Sequence, residues 1–167
     1  LASWRFASVQ SVWVDETTQL SGLALGTAEL VRWLAGAHDL VVGVPPDRMP
    51  PLSYLIGQLW ALAFGLTEGS LRWLGAAALL SAVYPLAAIG QRLSGRVGAV
   101  AIPVFVLLSA GTIIQSAEIR AYPLFLTAAC WSTHFFVVVL QARRAADAAR
   151  GMIGLAVGFV AMIWLHF

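Results

Sequence analysis

The segment 71–90, LRWLGAAALLSAVYPLAAIG, is twenty residues long and has one charged side chain, Arg72, near its start. A helix of about twenty mostly apolar residues is long enough to cross the hydrocarbon core of a bilayer. Comparable segments follow at 97–114 and 121–140, and 151–167 is nearly as long. The second half of the chain is therefore predicted to contain four membrane-spanning helices.

The composition of the whole chain also indicates an integral membrane protein. Of its 167 residues, 60% are hydrophobic and only 11% are charged, which excludes an ordinary soluble domain. All ten basic residues are arginine, a bias that hints at a GC-rich bacterial genome. The arginines are dispersed, so the net charge of +2 does not indicate a nucleic-acid partner. The single cysteine, Cys130, excludes a disulfide within the chain and is interpreted as a packing residue.

Residues 1–70 are predicted to form an outer loop that carries two helices at the membrane surface. Apolar residues recur at steps of three and four between 17 and 35, which predicts an amphipathic helix. The apolar stretch 52–66 has fifteen residues, too few to span a bilayer. The expected fold is an all-α polytopic membrane protein, a transmembrane helix bundle with juxtamembrane amphipathic helices. Because the chain starts at Leu1 and stops within an apolar run, we expect a fragment truncated at both ends.

The loops between the predicted spans give an orientation. Loops 91–96 and 141–150 are short and hold five arginines, so the positive-inside rule predicts that both lie in the cytoplasm. Loop 115–120 then faces outward, together with residues 1–70. In this orientation the outer side carries seven of the eight acidic residues.

The outer side collects titratable side chains from segments that are far apart in the sequence. They are Asp15, Glu16, Asp47, Arg48, Glu68, Arg72, Glu118, Arg120 and His166. Carboxylates beside a bilayer are costly unless they are paired or hydrated. The adjacent carboxylates Asp15 and Glu16 therefore indicate either a functional site or a hydrated acidic loop.

Five short motifs follow one another in a characteristic order. They are Trp13-Val-Asp15-Glu16, Asp47-Arg-Met-Pro-Pro-Leu-Ser-Tyr54, Phe64-Gly-Leu-Thr-Glu68 with Leu71-Arg72, Ser116-Ala-Glu118-Ile-Arg120-Ala-Tyr122, and Leu165-His166-Phe167. Their order resembles that of the GT-C membrane glycosyltransferases that use polyprenyl-phosphate sugars, such as protein O-mannosyltransferases and aminoarabinose transferases. Met49 and Ala117 stand where that family usually has histidine and glutamine.

The resemblance implies a fold and an activity. It implies juxtamembrane helices in the first outer loop and a membrane enzyme that transfers a sugar, with inversion, from a polyprenyl-phosphate donor. The acceptor is a hydroxyl group on a protein, lipid or glycan. The expected location is the bacterial cytoplasmic membrane, with the active site facing the periplasm or the exterior. Its partners are then the lipid-linked donor, the acceptor and the membrane.

Three carboxylates are the candidate catalytic groups: Asp15, Glu16 and Glu118. Asp15 is the candidate general base, because a carboxylate beside the acceptor hydroxyl can take its proton as the oxygen attacks the sugar. The negative charge of Glu16 favours proton uptake by its neighbour. The alternative for Glu118 is simple neutralisation by Arg120, two residues away.

Three basic side chains are candidates for holding the donor phosphate: Arg120, Arg72 and His166. The guanidinium fork matches phosphate oxygens in two-point contacts. Alternatively, Arg72 pairs with Glu68 four residues earlier, and His166 is an interfacial residue at a helix end.

Asp47 is a candidate ligand for the acceptor or for a cation, and a cap of the proline-rich loop is the alternative. No cysteine or histidine cluster has zinc-like spacing, and no glycine-rich phosphate loop is present. A divalent cation therefore remains an open cofactor, and His134, inside a predicted span, is interpreted as a packing residue.

Two other classes of protein stay open. A transporter could use the same polar groups as a solute site, although transporters usually bind near the bilayer midplane and within repeats. An inactive relative of the glycosyltransferases is the other alternative.

Overall fold

In a computed structural model of the chain, residues 14–166 are described, and no β-strand occurs among them. The prediction of an all-helical chain is confirmed for this range. Trp13 of the first motif and Phe167 of the last lie outside the described residues. The helices are α1 (Val14–Leu23), α2 (Thr27–Leu34), α3 (Leu52–Phe64), α4 (Glu68–Ser81), α5 (Val83–Leu107), α6 (Ala110–Ser116), α7 (Tyr122–Gln141) and α8 (Ala145–Leu165).

The single amphipathic helix predicted at 17–35 is in fact two helices, α1 and α2. The chain leaves the helical conformation before α2, where Gly26 is extended with φ −63° and ψ 153°. The Glu29 carboxylate accepts a hydrogen bond from the Gly26 N–H at 3.1 Å, which closes the first turn of α2. The cap at Gly26 thus interrupts the helix, although the apolar pattern of the sequence continues on both sides of this glycine.

Helix α3 is thirteen residues long and packs against α1 and α2 through an aromatic core. Trp33 and Tyr54 are fully buried, and their rings meet edge to face with centroids 6.1 Å apart. A Cβ on Gly57 would overlap the Leu23 side chain, so this glycine lets α3 approach α1 closely. The helix ends at Gly65, whose φ of +82° favours glycine.

Within residues 14–166, three helical stretches are long and apolar enough to cross a membrane. They are Glu68–Leu107, which joins α4 and α5, and the helices α7 and α8. Four spans were predicted. The stretch Glu68–Leu107 contains the first of them, 71–90, and most of the second, 97–114. Many large side chains on these helices are exposed, as for Phe105 at 81% and Ile153 at 66%. Such apolar surface suits contact with lipid.

The chain reverses direction inside α5, at Ser94 and Gly95. Both residues have non-helical backbone angles, and Gly95 has φ +64°. Backbone atoms of Gly90 and Gly98 lie against each other, although eight residues of straight helix would separate them by about 12 Å. The predicted loop 91–96 is therefore a tight turn between two arms of α5, 83–93 and 96–107.

The predicted span 97–114 is interrupted near residue 109. Helix α5 ends at Leu107, and Ser109 is extended with ψ 145° and caps α6 by accepting from the Thr112 N–H at 3.3 Å. Helix α8 begins at Ala145, six residues before the predicted 151, because the alanine-rich start AADAA is a strong helix former.

Among the helices described, α7 and α8 pack against each other most extensively. Gly151, Gly154 and Gly158 lie on one side of α8, and a Cβ at each would meet a residue of α7. The facing residues include Phe135 and Ser132. Small residues at such a contact let the backbones of two membrane helices approach closely.

The packed helices collect their polar groups at two opposite ends. At the carboxylate end, Arg72 at the start of α4 contacts Ala117 after α6, and the start of α7 contacts the end of α8. At the arginine end, Arg92 before the turn of α5 donates a hydrogen bond to Gln141 at the end of α7, at 3.1 Å.

Candidate functional site

A buried ion pair between Glu16 and Arg72 lies at the centre of the carboxylate end. The Glu16 side chain is 0% exposed, and its Oε1 lies 3.3 Å from Nη1 of Arg72. The same oxygen accepts a hydrogen bond from the Ile119 main-chain N–H at 2.8 Å. Arg72 also binds Glu68 Oε1 through Nη2 at 2.7 Å and donates to the Ala117 carbonyl. Two side chains thus connect α1, α4 and the connection 117–121.

These contacts bear on the predicted roles of both residues. Glu16 was a candidate catalytic carboxylate and Arg72 a candidate phosphate ligand, and each role needs polar atoms that are available to a substrate. All nitrogen and oxygen atoms of both side chains are engaged with protein groups. The expected pairing of Arg72 with Glu68 is present. The geometry favours a positioning role for the pair Glu16 and Arg72.

Asp47 is the acceptor in a second cluster. Its Oδ2 accepts a hydrogen bond from the Tyr54 hydroxyl at 2.5 Å and lies 3.3 Å from Nη1 of Arg120. Its Oδ1 accepts from the Met49 N–H at 3.3 Å, which is the loop-capping contact considered as an alternative. With these donors around it, Asp47 is better suited to orienting Arg120 than to holding a cation.

Tyr54 is a buried member of this cluster that the list of candidate residues omitted. Burial, followed by the hydrogen bond to Asp47, raises the pKa of the Tyr54 hydroxyl well above its ordinary value, so it remains a donor. Its position at the end of the segment Asp47-Arg-Met-Pro-Pro-Leu-Ser-Tyr54 was the available signal. A tyrosine seven residues after an aspartate gives no local rule that would predict their contact.

Arg120 connects this cluster to α1. Its Nη1 donates to the main-chain carbonyl of Asp15 at 3.2 Å, as well as to Asp47. The side chain is 8% exposed, and its Nε has no hydrogen-bond partner within residues 14–166. Of the three basic candidates, Arg120 is thus the one that combines burial in the site with an unused donor.

Asp15 and Glu118 are the two carboxylates of the site that stay outside the ion pairs. Both are half-buried, and neither carboxylate accepts a hydrogen bond from the part of the chain described. Burial, and then the negative charge of Glu16, raise the pKa of Glu118 above its ordinary value, with Arg120 acting in the opposite direction. Asp15 also acts on Glu118 electrostatically, so the two carboxylates share one site.

His166 lies at the same end but in an aromatic setting. It follows the last residue of α8, and its ring lies 5.8 Å from that of Tyr122 and 6.0 Å from that of Phe125. The structure therefore brings His166 beside the start of α7. That helix begins at Tyr122, two residues after Arg120 in the sequence. Both ring contacts are with aromatic side chains of α7.

The space beside Arg120 limits what can bind there. A cavity of about 20 Å³ is lined by Gln19, Ser53, Glu118 and Arg120, among others. That volume holds one water molecule and is far too small for a sugar. Gln19 Oε1 and Arg120 Nε, from two lining residues, have no protein partner among residues 14–166. A substrate would have to approach Asp15 and Glu118 from their exposed side.

Residues 14–166 contain no group of three or more His, Cys, Asp or Glu side chains that could hold a metal ion. The site described here is thus made of carboxylates, guanidinium groups and one tyrosine.

The chain was compared with protein-family models, with curated proteins and with solved structures. None of these comparisons gave a match.

Proposed function

We propose that this chain is a membrane glycosyltransferase that transfers a sugar from a polyprenyl-phosphate donor to an acceptor hydroxyl at the carboxylate end. The observation that carries the proposal is the meeting of four motifs distant in sequence. Arg120 contacts Asp15, 105 residues earlier, and Asp47, 73 residues earlier. Arg72 contacts Glu16, 56 residues earlier. The motifs that resemble the glycosyltransferases are thus the ones that meet.

In the proposed reaction Asp15 or Glu118 is the general base. The carboxylate takes the proton of the acceptor hydroxyl. At the same time the hydroxyl oxygen forms a bond to the anomeric carbon of the sugar. The bond between that carbon and the phosphate oxygen breaks, and polyprenyl phosphate leaves as an anion. Half-burial of both carboxylates supports this role, since each combines contact with solvent and a partly desolvated environment.

Arg120 is the proposed partner of the departing phosphate. A guanidinium group stabilises negative charge that develops on phosphate oxygens, and its fixed fork orients them. Asp47 and Tyr54 orient Arg120, while Glu16 and Arg72 hold the connection 117–121 against α1. These four residues are positioning residues in the proposal.

The proposed orientation places the arginine end in the cytoplasm and the carboxylate end outside. The separation of the charges between the two ends supports it, because arginines in short loops favour the cytoplasmic side. The corresponding location is the bacterial cytoplasmic membrane, with the site facing the periplasm or the exterior.

The test of the proposal measures how fast the chain, placed in vesicles, releases polyprenyl phosphate from a labelled donor. The donors are polyprenyl-phosphate mannose and polyprenyl-phosphate aminoarabinose. We expect Asp15→Asn, Glu118→Gln or both to lower turnover by roughly two to four orders of magnitude. Glu29→Gln and Asp39→Asn are matched controls, because both acids are exposed and outside the site. Equal turnover of all four variants and the unmodified chain would contradict the proposal.

Donor binding separates the role of Arg120 from that of the carboxylates. Arg120→Lys keeps the charge and removes the fork, so donor affinity should fall while the fold is kept. Whichever of Asp15→Asn and Glu118→Gln lowers turnover should leave donor affinity nearly unchanged. The reverse pattern would show that the two roles are wrongly assigned.

A further inference from the structure

The arginine end contains an open cavity of about 670 Å³. It lies between the first arm of α5, the C-terminal half of α7 and the first turns of α8. Its charged lining consists of Arg92, Arg143, Arg150 and Asp147. Apolar and aromatic side chains complete the wall, among them Tyr84, Phe135 and Val138. A positively charged mouth thus adjoins an apolar wall.

The guanidinium groups of this cavity are only weakly committed to protein partners. Arg150 lies 3.8 Å from Asp147, but the two side chains are 82% and 47% exposed, and such exposed pairs contribute little. Arg92 uses Nη1 for Gln141. Arg143 forms no ion pair with any residue between 14 and 166. Three arginines against one aspartate leave a net positive charge for a ligand.

One further feature at the same place favours an anion, and a second leaves a polar atom available to a ligand. The first turn of α8 borders the cavity, and the positive end of a helix dipole favours negative charge there. His134 is 93% buried in the wall, and its Nδ1 has no hydrogen-bond partner among the described residues. The cavity therefore combines charge, a helix start and an unpaired polar nitrogen.

We propose that this cavity binds the phosphate headgroup of an anionic membrane phospholipid. Its position favours a lipid, because α7 and α8 continue from it as apolar helices of membrane-spanning length. Met152 and Phe136 are 62% and 48% exposed, so acyl chains have apolar surface to contact beside the headgroup. Basic pockets between membrane helices are a known way of holding such headgroups. The inference is independent of sugar transfer, which is proposed for the opposite end.

The test uses the full chain in a neutral detergent. Phosphatidylglycerol and phosphatidylcholine with identical acyl chains are titrated, and bound lipid is counted by native mass spectrometry. We expect phosphatidylglycerol to bind more tightly than phosphatidylcholine. The double variant Arg143→Gln with Arg150→Gln should raise the Kd for phosphatidylglycerol about tenfold or more.

The matched control removes two arginines from the same end that do not line the cavity, by Arg96→Gln with Arg144→Gln. This variant should leave the Kd within about threefold of the unmodified value, because the charges of the cavity itself are intact. Circular dichroism checks that each variant is folded. If the first double variant is unfolded, the single variant Arg92→Gln takes its place in the comparison with Arg96→Gln.

Three outcomes would overturn the inference. Equal binding of the two lipids would exclude recognition of the anionic headgroup. Equal losses in the cavity variant and its control would show diffuse attraction to a basic surface. Displacement of phosphatidylglycerol by inorganic phosphate at the same concentration would identify a site for a soluble anion instead of a lipid.

Discussion

Arg72 is the residue on which the packing of the carboxylate end depends most. It contacts α1 through Glu16, its own helix through Glu68 and the chain after α6 through the Ala117 carbonyl. Its side chain is 6% exposed, so each partner that is lost leaves a buried positive charge less well compensated.

The two acidic partners of Arg72 should differ in their contribution to stability. Glu16→Gln breaks a fully buried pair and should lower the free energy of unfolding by about 3 kcal/mol. Glu68 is 44% exposed, so Glu68→Gln should cost at most about 1 kcal/mol. Denaturant unfolding in detergent, followed by tryptophan fluorescence, measures both. Equal losses would mean that burial does not set the strength of these pairs.

Glu118 should make stability depend on pH. Its pKa is raised above the ordinary value of 4.5, so the folded state disfavours the charged form. This cost is absent below pH 4.5, grows as pH rises through the raised pKa, and is complete above it. Glu118→Gln removes the cost and should gain stability relative to the unmodified chain between pH 4.5 and pH 7.

The measurement is the free energy of unfolding of both chains at several pH values in that interval. Parallel curves would show that Glu118 does not titrate differently in the folded and unfolded states. Asp39→Asn is a suitable control, because Asp39 is exposed and outside the site.

The sequence allowed the candidate residues of the site to be chosen but not their partners. The pairing of Arg72 with Glu68 follows from their spacing of four residues on one helix. The contact of Arg72 with Glu16 crosses 56 residues, and no periodic rule reaches that far. Tyr54 has a hydroxyl whose partner depends on the path of a proline-rich loop, which composition alone does not determine.

At the scale of elements, the tightest contact lies between the two arms of α5. A Cβ at Gly90 would overlap the backbone of Gly98, which cannot rotate away as a side chain can. The turn at Ser94 and Gly95 therefore requires glycine at position 90, where a side chain would overlap the backbone of Gly98.

Gly90→Ala should accordingly destabilise the chain by about 3 kcal/mol, because overpacking against backbone has little room to relax. Gly111→Ala is the matched control, since a Cβ there meets nothing within 4 Å. In a helix such a change is neutral or stabilising by up to about 1 kcal/mol. Thermal unfolding of both variants gives the comparison, and an equal effect would contradict the tight turn.

The apolar pattern predicted where helices occur better than where they end. The length of 52–66 predicted a helix too short to span, and α3 has thirteen residues. The interruptions before α2 and before α6 were not predicted. They depend on single capping contacts, at Gly26 and Ser109, within patterns that remain apolar on both sides.

The proposed site requires that both polar ends of the molecule lie outside the hydrocarbon and on opposite sides of the membrane. The loops at the arginine end are short and basic, as predicted from the sequence. The orientation inferred from the sequence already put seven of the eight acids at the other end, but which of them contact basic groups depends on helix packing that a single sequence does not reveal. Helix α3 decides the matter, because a spanning α3 would move residues before 52 to the opposite side.

The most direct test is the labelling of single cysteines in intact cells with an impermeant thiol reagent, after removal of Cys130. With the carboxylate end outside, we expect Ala35→Cys and Gly69→Cys both to be labelled, and Ser94→Cys and Ala146→Cys to react only after the membrane is opened. All four positions are exposed in the structure. Labelling of only one of positions 35 and 69, or of position 94 together with both, would contradict a site assembled at one face of the membrane.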